Sequence, residues 1–163
     1  MRFPLLSPVV FTLIGSPIAA QTPQPPAAKL SPTFIASLRG ATEVPPIRTQ
    51  AYGMAKLTLV GPEIRYQVTV DDLRDVTGVF LHIGGPGETK PVVATLFEGA
   101  KAGPVNGTLV SGTLHPKDVR GVSMSKLLRA VRTNDAYLIV ETKEHPRGEL
   151  RGELGPASGS SQG

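Results

Sequence analysis

Glu63-Ile64-Arg65-Tyr66-Gln67-Val68-Thr69-Val70 (residues 63–70) alternates apolar and polar side chains without a break. In an extended chain Ile64, Tyr66, Val68 and Val70 fall on one side and Arg65, Gln67, Thr69 and Asp71 on the other, as in a half-buried antiparallel strand. Similar runs stand at Phe34–Leu38, Met54–Val60, Val76–Ile83, Val92–Phe97, Thr108–Leu114, Ala136–Thr142 and Glu149–Leu154, so eight strands are predicted. Gly61-Pro62 leaves room only for a hairpin between the second and third, while Gly84-Gly85-Pro86-Gly87 and Gly103-Pro104 punctuate the middle of the chain.

One segment departs from the period of two. Met124, Leu127, Leu128 and Val131 follow at i, i+3, i+4 and i+7, with Ser123 placed as N-cap and Lys126, Arg129 and Arg132 on the wet side. With no βαβ rhythm, the expected fold is all-β: an antiparallel two-sheet, Greek-key-like sandwich of about eight strands with one short helix near 123–133.

Outward from these strands the chain changes character. Met1-Arg2, the apolar stretch Phe3 to Ile18 and Ala19-Ala20 read as a secretory signal peptide over 1–20, too short and too broken by proline for a transmembrane helix. Residues 21–32, QTPQPPAAKLSP, read as a Pro-rich linker, 33–154 as the folded domain and 155–163 as a flexible Gly/Ser tail. A secreted or periplasmic location is the expectation. The 163 residues suit one domain, and Gly (18) with Pro (16) supply its turns.

Cysteine is absent, which excludes disulfides, thiolate nucleophiles and Cys-based metal sites. The net charge of +4 has no Lys/Arg-rich run behind it, and without Trp there is no aromatic-plus-basic platform for nucleic acid. Ser123 and Ser125 belong to no nucleophile elbow, and His115-Pro116 and His145-Pro146 read as turns, so no serine hydrolase is indicated. Asp71, Asp72 and Asp75 lack calcium-loop spacing and read as a polar turn. Glu149, Arg151 and Glu153 are expected to point outward as cross-strand ion pairs, with Leu150 and Leu154 inward. Pro45-Pro46 guides the chain onward from the first strand.

Several stretches together resemble the CHRD (chordin-type) domain in its single-domain exported form. They are 34–46 with Gly53, then 64–84, 91–96, 111–119 and 136–154. The opening Leu-x-Gly-x-x-Glu-Val-Pro-Pro ends on Glu43, Pro45 and Pro46, and the closing Pro-x-Gly-Glu-Leu-Arg-Gly-x-Leu contains Gly148, Glu149, Arg151 and Gly152. The family's His-Ile-His becomes Phe80-Leu81-His82, and its Tyr-Val-Asn-Val-His-Thr becomes Tyr137-Leu138-Ile139-Val140-Glu141-Thr142. Phe80 and His82 share one face of their strand, as do Ile139 and Glu141 of theirs, so a polar cluster has lost three members. His-x-His on a strand can place two imidazoles on one metal, and His82 with Glu141 is what remains for that role. Otherwise Phe80 and Ile139 pack together, and Glu141 accepts from His82 or pairs with an Arg.

The resemblance implies a non-enzymatic binding domain with no catalytic residues and no cofactor, engaging an extracellular or envelope macromolecule, either protein or cell-envelope polysaccharide. An exported metal-binding or redox-related protein is the alternative.

Overall fold

The alternation at Ile64 does not stop at Val70. In a computed structural model, which describes residues 31–157, it runs on through a bend to Ile83 as one strand. The strands are β1 (Thr33–Arg39), β2 (Tyr52–Val60), β3 (Glu63–Ile83), β4 (Val92–Leu114), β5 (Ala136–Thr142), β6 (Leu150–Glu153) and β7 (Gly155–Pro156), with one helix, α1 (Met124–Arg132). The predicted signal peptide, residues 21–30 of the linker and 158–163 of the tail lie outside the described residues.

The described strands therefore number seven, not eight. The predicted pair 63–70 and 76–83 is the single strand β3, and the pair 92–97 and 108–114 is the single strand β4. Asp72 (φ 54°) and Asp75 (φ 48°) sit in the left-handed region and each shifts the β3–β4 register, so the long hairpin bends instead of ending. The Asp75 carboxylate accepts from the Gly103 amide at 2.7 Å, which holds Gly103-Pro104 inside β4 as an irregularity rather than a turn. At the other end of β3 the Gly61-Pro62 hairpin forms as expected, with Gly61 at φ 58° and Val60 paired to Glu63.

The bend lets one strand serve both layers of the sandwich. The first half of β3 pairs with β2, its second half with β5, and β4 follows it on the other edge. The order β2-β1-β6-β5-β3, with β2 also on β3, closes the antiparallel sheet into a ring, a flattened barrel, while β4 lies outside the ring on the free edge of β3. Leu38, Leu57, Ile64, Val68, Leu81, Leu138 and Leu150 fill the interior, all fully buried. The helix caps as predicted, with the Ser123 hydroxyl accepting from the Lys126 amide. Its Met124, Leu127, Leu128 and Val131 join that core, and it contacts β3, β5 and β7. The chain also stays in the sheet past Leu154, since Gly155 and Pro156 pair with Ile35 and Phe34 of β1.

Candidate functional site

The β3–β5–β6 layer has a second covered face. His82, Tyr137 and Glu153 lie in one cross-strand row, and Phe80, Ile139 and Arg151 in the next. Pleating turns this face away from the core, yet His82, Tyr137, Ile139 and Arg151 are all buried. The cover comes from the segments 84–91 and 43–49. Arg151 donates to the backbone oxygens of Glu88 (2.8 Å) and Gly85 (3.2 Å), and to the Glu153 carboxylate (3.1 Å). Its guanidinium lies 3.7 Å from the Tyr137 ring centroid, and His82 stacks on the same ring at 4.8 Å and 5°. The Tyr137 hydroxyl accepts from the Lys90 amide at 2.8 Å.

The expectation that Glu149 and Arg151 form an outward stripe of ion pairs is therefore corrected. Arg151 is among the largest fully buried side chains, and Glu149 is buried as well. Alternation places both off the core face, as predicted, while the loops that close over that face leave no mark in the period. Glu149 accepts from Thr142 (2.7 Å) and Thr49 (2.8 Å), tying the 143–148 turn to the 43–49 segment. Thr49, Thr89 and the backbone of 85–90 were not among the expected site residues. Only the Gly-Gly-Pro-Gly run hinted at a chain folding back there.

His82 and Glu141 are not brought onto one ligand. His82 pairs with Tyr137 and Glu141 with Gly78, four positions along the strands, which is about 13 Å at the usual strand rise. His82 Nδ1 donates to the Lys90 carbonyl at 2.7 Å, and burial leads the causes holding its pKa below the ordinary value. Burial thus favours the neutral imidazole, and backbone holds it in place. Nor does Glu141 accept from His82. Burial raises its carboxyl pKa instead. Phe80 pairs with Ile139, as expected of an apolar replacement, and its ring occupies the space a Cβ on Gly78 would need. Among the described residues no group of three or more His, Asp or Glu side chains could hold a metal ion. Of the other histidines, His115 is hydrogen-bonded to Glu63 at 2.8 Å, and His145 lies in the 143–148 turn.

The first family stretch meets the last at a cleft. Residues 43–45 and 47 on one side and 144–148 on the other line it, with Thr89, between the two segments in sequence, also contributing, and it encloses about 430 Å³. Glu43 is 5% exposed, and its Oε2 accepts from the Val44 amide while Oε1 is buried without a partner. Burial raises its pKa most, and Glu153 and Glu141 add to this against the Val44 bond and Arg151. Gly148 adopts φ 127°, and a Cβ there would overlap Glu43 Oε1. The glycine is what lets the carboxyl reach this position. Gly152 allows a comparable approach to the Ser37 carbonyl of β1. Pro46 continues the exposed segment after Pro45.

Among the described residues, no helix is long and apolar enough to cross a membrane. The model of the CHRD domain family matches residues 34–154, nearly the whole folded part, and the chain belongs to that family. Membership supports a binding-type domain in general terms.

Proposed function

We propose that this CHRD domain is a non-enzymatic, exported binding module whose cleft between 43–49 and 143–148 takes a stretch of cell-envelope polysaccharide. The observation that carries the reading is Glu43, a buried carboxyl whose Oε1 has no donor, set in the wall of a cleft built by the family's own opening and closing motifs. A buried acceptor without a partner costs about 1–3 kcal/mol, and a ligand hydroxyl would supply the missing donor once the cleft wall yields to admit it. Thr89, Glu144, His145 and Arg147 add polar groups, while Val44, Pro45, Ile47 and Pro146 offer apolar surface to the carbon face of a sugar. The volume falls within the range of ligand clefts. Export rests on the leader-like character of residues 1–20.

The test is equilibrium binding of the full chain to purified envelope polysaccharide, with the polymer length measured before and after. Wild type is expected to bind and leave the polymer intact, and Arg147→Ala or Glu43→Gln to weaken binding about tenfold or more. Shortening of the polymer would make the protein an enzyme. Unchanged affinity in both variants would remove the cleft from the reading. Stoichiometric copper, zinc or iron in protein purified without chelator would favour the metal-binding alternative.

A further inference from the structure

A second groove lies where the start of β4 meets α1. Ile83, Pro91, Val92, Val93 and Val122 form its apolar walls, Lys90, Arg120 and Lys126 stand around them, and it encloses about 290 Å³. Lys90 has a carboxylate partner, Glu88 at 3.4 Å. Arg120 and Lys126 have none among the described residues, although both are exposed. The sequence around them is charged with one sign only. From Val119 to Asn134 there are four cations (Arg120, Lys126, Arg129, Arg132) and no Asp or Glu, so this segment alone carries as much charge as the chain's whole net +4. The acids at its two ends are turned to local partners, Asp118 to the His115 amide and Asp135 to the Thr133 hydroxyl.

From these features we propose that this flank docks on an anionic phospholipid surface. Lys126, Arg129 and Arg132 extend the basic row along α1 over about 9 Å of helix rise, wider than one small anion needs. A purely ionic ligand would also leave the groove's apolar walls in water, including Val92, which is 42% exposed at its edge. A lipid interface meets both demands, with phosphates opposite the cations and an apolar layer at shallow depth for Val92. The helix does not insert, because Met124, Leu127, Leu128 and Val131 are committed to the protein core. Attachment is peripheral, electrostatic and sensitive to salt.

The experiment is co-sedimentation of the full chain with phosphatidylglycerol–phosphatidylcholine vesicles and with pure phosphatidylcholine vesicles. Any binding through the N-terminal stretch, which carries Arg2 and so also favours anionic lipid, is common to every variant, and the comparison between variants isolates the groove. The expected result is at least about tenfold stronger binding to the anionic vesicles, a loss of about tenfold in the double variant Arg120→Glu/Lys126→Glu, and a severalfold loss in Val92→Ser. The control Lys56→Glu/Arg65→Glu makes the same change in net charge outside the groove and should retain most of the binding. Equal binding to both vesicles, or equal losses in the two charge reversals, would overturn the proposal. So would soluble polyphosphate binding as tightly as vesicles with Val92→Ser silent, which would make the occupant a soluble polyanion. Circular dichroism and the thermal midpoint establish that each variant is folded.

Discussion

His82 and Glu43, both buried on the covered side of the fold, titrate in opposite senses. Burial, with a smaller effect of the Arg151 charge, lowers the His82 pKa from 6.5 despite the bonds to the Lys90 and Pro91 backbone. The native state therefore favours neutral imidazole, and the stability this contributes is present above pH 6.5 and lost as pH falls through the depressed value. Glu43 is raised from 4.5, so its contribution is full below that pH and is lost as pH rises through the raised value. Urea unfolding between about pH 4 and pH 8 separates them. His82→Phe keeps a ring on Tyr137, forfeits the bond to Lys90 at a cost of about 1 kcal/mol, and should flatten the loss below pH 6.5. Glu43→Gln should gain stability near neutrality relative to wild type. A His82→Phe curve parallel to wild type across that window would refute the assignment. Little of this environment was legible beforehand. The motif residues were identified, and Phe80 opposite Ile139 was anticipated, but whether a side chain off the core face is wet or covered depends on loops far away in sequence. Arg151, read as exposed and found sealed under Gly85 and Glu88, is the plainest instance.

Strand β3 shows the same limit at the scale of an element. Its two alternating halves and the acidic interruption between them were all legible. Asp71, Asp72 and Asp75 lack calcium-loop spacing and read as a polar turn, and in the structure Asp72 and Asp75 do take the positive φ that such residues tolerate. What local chemistry cannot reveal is that β4 bends alongside, so that pairing resumes and one strand passes from layer to layer. The two aspartates at positive φ contribute unequally. Asp75 accepts from the Gly103 amide, whereas at Asp72 it is the backbone amide that donates, to Asn106 Oδ1 at 2.8 Å. Asp75→Ala should cost about 1–3 kcal/mol, since it leaves an amide unpaired and puts a less tolerant residue at φ 48°. Asp72→Gly should change stability by less than about 0.5 kcal/mol, because the glycine keeps the donated amide and accepts positive φ freely. Urea midpoints measure both, and equal losses would show that the bend does not depend on the Asp75–Gly103 bond.

Closure of the whole molecule depends on a seam shorter than its other pairings. Arg39–Arg151 is the one β1–β6 pair, extended by the two pairs that β7 makes with β1 and by the Thr42 hydroxyl donating to the Arg151 carbonyl. β2 and β3, by comparison, pair from Tyr52–Asp71 to Val60–Glu63. Gly152 sits at the seam, where a Cβ would lie 2.5 Å from the Ser37 carbonyl oxygen. That neighbour is backbone of a paired strand, so it cannot swing aside as the end of a side chain could. Gly152→Ala must push β6 away from β1, at a cost of about 1–3 kcal/mol by comparison with other overpacked sites. Gly155, on the same seam, has open space where its Cβ would go, so Gly155→Ala is a matched control with little expected effect. Because β3 and β4 pair along nearly their whole length, the damage should stay local: faster amide hydrogen exchange in β1, β6 and β7, with β3 and β4 still protected. If exchange instead rose uniformly, the two layers would be unfolding as one unit and the seam would not be the weak link. If Gly155→Ala matched Gly152→Ala, the close approach to Ser37 would not be the cause.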